Sequence, residues 1–254
     1  MLPRVYLAVC YAELGMFAEG RAVGAEGLRI AEAVAHPGSL MRAYHGLGLL
    51  ALRQGDLAGA LPRLERAMGI WQDADLPTWF SWLAATLGAA YTLSGRIADA
   101  VPLLTQAMEQ AIATAMAYNQ ALCSLPLSAA QMLAGRLAEA HTLAERTLAF
   151  TRGRQEHGNE AYTLRLLGDI TARREPPEST LAEAHYQQAL ALAEAQGMRP
   201  LQAHCHLGLG QLYVKIGRRE QARGALSTAV VLYRAMDMPF WLPAAKAMLA
   251  QVES

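Results

Sequence analysis

The sequence predicts an all-α protein made of six copies of one helix–turn–helix unit followed by a closing helix. Three observations carry that prediction. A glycine recurs at Gly15, Gly55, Gly95 and Gly135, forty residues apart, and again at Gly217, two periods and two residues later. A fixed period of about 20–50 residues marks a repeat architecture. The 254-residue chain is 53% apolar and rich in Ala, Leu, Glu, Arg and Gln, all strong helix formers, and few segments alternate as strands do.

Each unit reads as helix A, a glycine turn and helix B. Five residues after the glycine stands a small residue (Gly20, Ala60, Ala100, Ala140, Ala182, Ala222), and twelve after it another (Gly27, Ala67, Ala107, Thr147, Ala189, Ala229). Helix A carries Leu-Gly at Leu47-Gly48, Leu87-Gly88, Leu167-Gly168 and Leu209-Gly210. Small residues let A and B approach closely, and neither helix could bury its apolar face alone, so stacking of units is expected to stabilise the fold.

Taken in order, the units are residues 1–38, 39–78, 79–118, 119–158, 159–200 and 201–240, with a closing helix over 241–254, and they form one array spanning 1–254. In the first, Met1 runs almost directly into the helical pattern Leu2, Val5, Leu7, Val9, so the natural chain is expected to extend further at this end. Pro62 and Pro102 fall in the second turn of helix B, and Pro126 falls in helix A of the fourth unit; each should bend its helix or delay its start. Helix B is expected to be about a turn longer than usual, running toward links near Ala35–Gly38, Asp75–Pro77, Gln155–Gly158 and Gln196–Pro200. In the fifth unit, Arg174-Glu175-Pro176-Pro177-Glu178-Ser179 replaces the glycine turn, which predicts a stiff, projecting A–B loop. After Pro243, Ala244 to Val252 reads as a polar-faced cap.

These columns resemble the tetratricopeptide repeat, whose pattern is W-x2-L-G-x2-Y, then A-x3-F, then P. The matching residues are Tyr44-x2-Leu47-Gly48, Leu87-Gly88-x2-Tyr91, Ala182-x3-Tyr186 and Leu209-Gly210-x2-Tyr213, and Tyr11 holds the tyrosine place in the first unit. The resemblance runs over essentially the whole chain and implies a right-handed α-solenoid of six antiparallel helix pairs. The forty-residue period exceeds the family's basic length of about 34.

Composition narrows the function. Formal net charge is zero, with 22 basic and 22 acidic residues, which lacks the footprint of a nucleic-acid binder. Nearly all the basic residues are Arg, with Lys215 and Lys246 the exceptions, a bias resembling that of GC-rich bacterial genomes. Cys10, Cys123 and Cys205 are far apart with no CxxC pair, as in a reducing compartment. No apolar run reaches membrane-spanning length and no secretory signal is present, so a cytoplasmic location with no membrane partner is expected.

Catalytic and cofactor motifs are missing. Gly46-Leu47-Gly48 and Gly208-Leu209-Gly210 fall in the packing column, follow no strand and do not continue as a nucleotide-binding loop. His204-Cys205-His206 is the one local cluster of metal-competent side chains, but neighbours on a helix do not converge and zinc sites want i, i+4 spacing, so no metal is expected. His206 instead suits the aromatic packing slot that Tyr44 fills in the second unit. No catalytic residue and no cofactor is predicted.

In the family resembled, helix A lines a concave surface through its second, fifth, ninth and twelfth positions. The resemblance thus implies a groove of Arg42, His45, Leu49 and Leu52, with Arg53 beside them, in the second unit. The third unit gives Trp82, Ala85, Ala89 and Thr92, and the fourth gives Leu122, Leu125, Ala129 and Met132. The fifth supplies Tyr162, Arg165, Asp169, Ala172 and Arg173, and the sixth His204, Leu207, Gln211, Val214 and Lys215. An apolar middle with basic and polar ends suits an amphipathic helix or an extended segment with acidic flanks. The alternative is that some of these apolar residues simply pack against neighbouring helices. Asn is nearly absent, so the basic–Asn clamp of chaperone-binding members is not expected.

The leading expectation is a non-catalytic protein–protein interaction module. His204–Gly210 and Tyr233–Leu242 are also similar to the repeat tails of bacterial class III adenylate/guanylate cyclase proteins, which carry a cyclase domain, an ATPase domain and then such repeats. That similarity implies a regulatory tail of a larger bacterial signalling protein, with upstream domains of the same polypeptide among its partners. Two alternatives stand beside it. One is a small-molecule sensor using Arg165, Asp169, His204 and Gln211, and the other a self-association module in which the bare first unit makes a homo-oligomer.

Overall fold

The computed structural model describes residues 2–74, 79–114, 117–175 and 178–253. Pro77 and the Pro176-Pro177 pair lie outside the described residues, and with them the expected stiff loop. The described chain is all-helical. In the first compact unit, residues 1–134, lie α1 (Leu2–Leu14), α2 (Phe17–Val34), α3 (Pro37–Gln54), α4 (Leu57–Asp73), α5 (Phe80–Leu93), α6 (Ile97–Ala113) and α7 (Ala117–Leu133). In the second, residues 135–254, lie α8 (Leu137–Gly153), α9 (His157–Ala172), α10 (Ser179–Ala195), α11 (Arg199–Lys215), α12 (Arg219–Ala235) and α13 (Leu242–Glu253). Within each unit, consecutive helices pack as antiparallel pairs, and A helices also touch the next A helix along the chain.

The recurring glycine ends helix A in a left-handed conformation, with φ between 76° and 83° at Gly15, Gly55, Gly95, Gly135 and Gly217. That turn lets the following N–H reach back five residues: Asp56 donates to the Ala51 carbonyl at 2.9 Å, and Arg96 to that of Tyr91 at 2.8 Å. The links between pairs use the same device. Ala35, Gln155, Gly197 and Asp237 also have positive φ, and Glu156, Met198 and Met238 close the same reach-back bond. Three of these four positions are not glycine, so the glycine register did not reveal them.

The Leu-Gly column is a contact between A and B. A Cβ on Gly48 would lie 2.7 Å from the Leu64 side chain; on Gly88 it would lie 2.4 Å from Leu104, and on Gly210 2.6 Å from Leu226. Each large partner stands four residues after the buried alanine of helix B (Ala60, Ala100, Ala222). In the fifth pair the partner is Tyr186, which Gly168 and Gly208 both face. The first pair exchanges these sizes: Gly20 and Gly24 are bare where others carry Ala and a large residue, and Leu50 and Leu47 of α3 fill the space.

The tyrosine column joins neighbouring pairs. Tyr91 donates to Glu65 of α4 at 3.1 Å while Arg96 stacks on its ring and bonds the same carboxylate. Tyr213 repeats this with Glu183 of α10 at 2.7 Å, and Arg218 closes on that carboxylate at 2.9 Å.

The three internal prolines do not delay their helices, which begin at Leu57, Ile97 and Ala117. Pro62 and Pro102 sit on exposed faces, where water can take the carbonyl that each leaves unbonded. Every B helix runs 17 or 18 residues. Several A helices are equally long, so the forty-residue period is shared by both. The cap α13 packs Met248, Leu249 and Val252 on Tyr213 and Leu226 and leaves Lys246 exposed.

Candidate partner-binding groove

In the first compact unit the expected groove residues share one register on α3, α5 and α7, but the structure sorts them. Arg42, Leu49, Trp82, Ala89, Leu125 and Ala129 are half-buried and reachable. His45, Ala85 and Met132 are buried, along with Leu52 and Thr92. This corrects their placement: they pack between helices and offer almost no surface to a partner. His45 lies against Trp82, ring centroids 3.5 Å apart, and its Nε2 is 2.8 Å from Thr86 Oγ1. Burial pushes the imidazole pKa down to about 3, so His45 is neutral and adds no charge to the rim.

The arginines also divide. Arg53 pairs with Glu13, which holds the same register on α1, at 2.8 Å. Arg42 has its guanidinium carbon 4.4 Å from the centre of the Trp79 ring, while its buried Nε has no hydrogen-bond acceptor among the described residues. Trp79 in turn meets Trp82 edge-on at 5.6 Å. Arg42, Trp79 and Trp82 are the polar–aromatic centre of this face. The sequence reading missed Trp79, although it lies twenty-four residues after Gly55, as Trp241 does after Gly217.

In the second compact unit the candidate side chains are largely engaged with one another. Arg165 pairs with Asp169 at 2.7 Å, and Asp169 also accepts the Tyr186 hydroxyl at 2.7 Å. Arg173 donates to the Asp169 carbonyl at 2.8 Å, and Lys215 to that of Ala172 at 2.8 Å. His204 Nδ1 is 2.8 Å from the Tyr233 hydroxyl, and its ring meets Trp241 at 4.5 Å. His204 stands thirteen residues before its turn glycine, as Arg42 does, so both bear on the tryptophan that opens the next A helix. Gln211 and Val214 are exposed; Tyr162, Ala172 and Leu207 are half-buried.

Cys205 is buried, with its thiol pKa pushed up to about 12, and burial lowers the pKa of His206. Among the described residues no three His, Cys, Asp or Glu side chains gather as metal ligands, and no helix is long and apolar enough to cross a membrane.

Paired helices, left-handed turns and a small–large contact between A and B define an all-helical repeat protein. The tetratricopeptide repeat family model matches residues 2–73 and 39–113. The match covers less than half of the chain, and the helix pairs beyond residue 113 continue the same paired-helix pattern.

No curated protein sequence matches the chain. Among solved structures it is similar to NprR in complex with its cognate peptide NprX (TM-score 0.73, 17% identity, 97% of this chain and 72% of that one). It is also similar to a Rap protein complexed with competence and sporulation factor (TM-score 0.72, 13% identity, 96% and 74%). A third is PH0952 of Pyrococcus horikoshii, a signal-transduction ATPase with a tetratricopeptide repeat sensor (TM-score 0.66, 16% identity). The chain spans 93% of its own length in that match but 35% of PH0952. At such identities the likeness is one of fold.

Proposed function

We propose that this chain is a non-catalytic protein–protein interaction module that binds a peptide or partner helix on the A-helix face of its first compact unit. The observation that carries the reading is the Arg42–Trp79–Trp82 group: a partly exposed aromatic pair with an oriented cation, flanked by Leu49, Ala89 and Leu125. Aromatic and arginine anchors of this kind dominate interface energetics. A segment with an apolar face and an acidic residue opposite Arg42 is the matching chemistry. NprR, solved with its cognate peptide NprX, and the Rap protein, solved with competence and sporulation factor, support it by likeness of fold, and PH0952, a signal-transduction ATPase with a tetratricopeptide repeat sensor, supports a place in a larger signalling protein. A metabolite reading has less behind it, because Arg165 is paired with Asp169, which also accepts the Tyr186 hydroxyl, and His204 bonds Tyr233.

The test is affinity capture from the source lysate with the wild-type chain, Trp82→Ala and Arg42→Ala, followed by mass spectrometry and circular dichroism. A protein partner retained by the wild type and lost by both variants, at unchanged helicity, is expected. A partner held equally by all three, or a stabilising metabolite with no protein partner, would sink the reading.

A further inference from the structure

We infer that the indole of Trp82 covers a polar slot between α3 and α5, and that the slot takes a primary carboxamide, the side chain of an Asn or Gln, from the segment bound on this face. The inference rests on the proposed groove and names a group that its ligand must carry. Two buried polar atoms carry it. His45 is 1% exposed, yet its Nδ1 has no hydrogen-bond partner among the described residues, and neither has the buried Nε of Arg42. The two residues stand three apart on α3, the spacing that brings side chains together on one helix face. Both meet the same element, Arg42 through Trp79 at the entrance of α5 and His45 through Trp82 in its first turn.

The protons at the slot are fixed by its neighbours. Thr86 Oγ1 donates to the Trp82 carbonyl at 3.4 Å, so at 2.8 Å from His45 Nε2 it accepts the Nε2 proton. The neutral imidazole carries one N–H, which leaves Nδ1 as a bare acceptor, whereas Arg42 Nε–H only donates. The slot therefore calls for an acceptor and a donor side by side. A carboxylate has no proton for Nδ1. A trans peptide unit points its C=O and N–H in opposite directions and meets one of the two atoms. A hydroxyl meets both only through a single oxygen, although residues three apart are displaced by about 4.5 Å along a helix axis. A primary carboxamide holds its oxygen and its NH2 on one tip and spreads them across that gap. Buried groups left without partners destabilise the free chain, so a bound carboxamide supplies what the free chain lacks. Access needs the indole to lift. In the free chain it rests on His45 with ring centroids 3.5 Å apart, and it is half-buried; its neighbours one turn along α5, Ala85 and Thr86, are small. A change of rotamer at Trp82 opens the slot with both helices in place.

Fluorine NMR of the full chain labelled with fluorotryptophan tests the slot, with the Trp82 resonance assigned by Trp82→Phe. The probe is propionamide, and propionate, N-methylacetamide and n-propanol are the comparisons. Propionamide is expected to shift the Trp82 resonance saturably, with a dissociation constant below about 0.1 M for so small a ligand. The other three, at the same concentration, should shift it at least about fivefold less. His45→Phe keeps a ring on Trp82 and removes both nitrogens, and Arg42→Met keeps the stem and removes Nε–H. Each should weaken propionamide about tenfold or abolish its effect, at unchanged helicity. The comparison among probes uses the unaltered sequence, so it decides even where a variant fails to fold. No saturable response, an equal response to propionate, N-methylacetamide or n-propanol, or a response that both variants keep would overturn the inference. A partner captured through Trp82 and Arg42 with no propionamide effect leaves the groove reading and removes the slot. A propionamide effect with no captured partner keeps the slot and removes the groove reading.

Discussion

The imidazole of His45 and the indole of Trp82 lie 3.5 Å apart, joining α3 to α5 at the centre of the first unit's A-helix face. The contact holds Trp82 in place, and it makes His45 a buried base rather than a surface charge. Burial lowers its pKa from 6.5 to about 3 in the folded chain, so the fold favours the neutral ring. Stability from this site is complete above about pH 6.5 and falls as pH drops toward 3, by up to about 1.4 kcal/mol per pH unit. Urea denaturation of the wild type and His45→Gln, from about pH 7 to about pH 4.5, isolates it. The gap in stability between the two should narrow with acid, while contributions from His185 and His206 cancel; a constant gap would mean that His45 does not titrate as a buried group.

Two glycines of the third pair should fail for different reasons. Gly88→Ala drives a methyl into Leu104 and should cost about 1–3 kcal/mol. Gly95→Ala meets no atom within 4 Å but must hold φ near +82°, costing about 1 kcal/mol. Thermal or urea unfolding of each with and without Leu104→Ala separates them. The truncation should partly offset Gly88→Ala and leave the cost of Gly95→Ala unchanged; simple additivity at Gly88 would remove the packing explanation.

In the second unit, Tyr186→Phe deletes one hydrogen bond to Asp169 and should cost about 1 kcal/mol. Asp169→Asn should cost about 2 kcal/mol or more, because Arg165 then keeps its charge in a largely buried place without a counter-ion. Equal losses, measured by chemical denaturation, would show that the carboxylate acts only as the hydroxyl's acceptor.

The three cysteines differ in access, and burial pushes Cys123 and Cys205 up to about 12. A thiol-reactive dye should label Cys10 alone in the native protein and all three after unfolding. Rapid native labelling of a second thiol would contradict the burial of α7 or α11.

Much of the fold was legible in the sequence because glycine is the residue that a left-handed helix end prefers, and the A–B turns use it at Gly15, Gly55, Gly95, Gly135 and Gly217. The links between pairs hold the same conformation at Ala35, Gln155 and Asp237, where surrounding structure overrides the local preference and the sequence carries no mark. The groove was less legible for a related reason. Register places a residue on a face but does not say whether a neighbouring helix covers it. Leu125 remains partly open whereas His45 and Ala85, in the same column, are covered, and Val214 is exposed whereas Leu52, Thr92 and Met132, in its column, are buried. Trp79 escaped because it stands at the helix entrance, outside the positions that the repeat assigns to its groove.

Gly20, Gly24 and Gly27 lie inside α2, each favouring the helix by about 1 kcal/mol less than alanine would. The first pair is therefore the place where the fold gives way soonest, and native-state amide exchange should begin there. When α1 and α2 part from α3, Leu47 and Leu50 lose the cover of Gly24 and Gly20 and expose an apolar face of α3 that the folded pair hides.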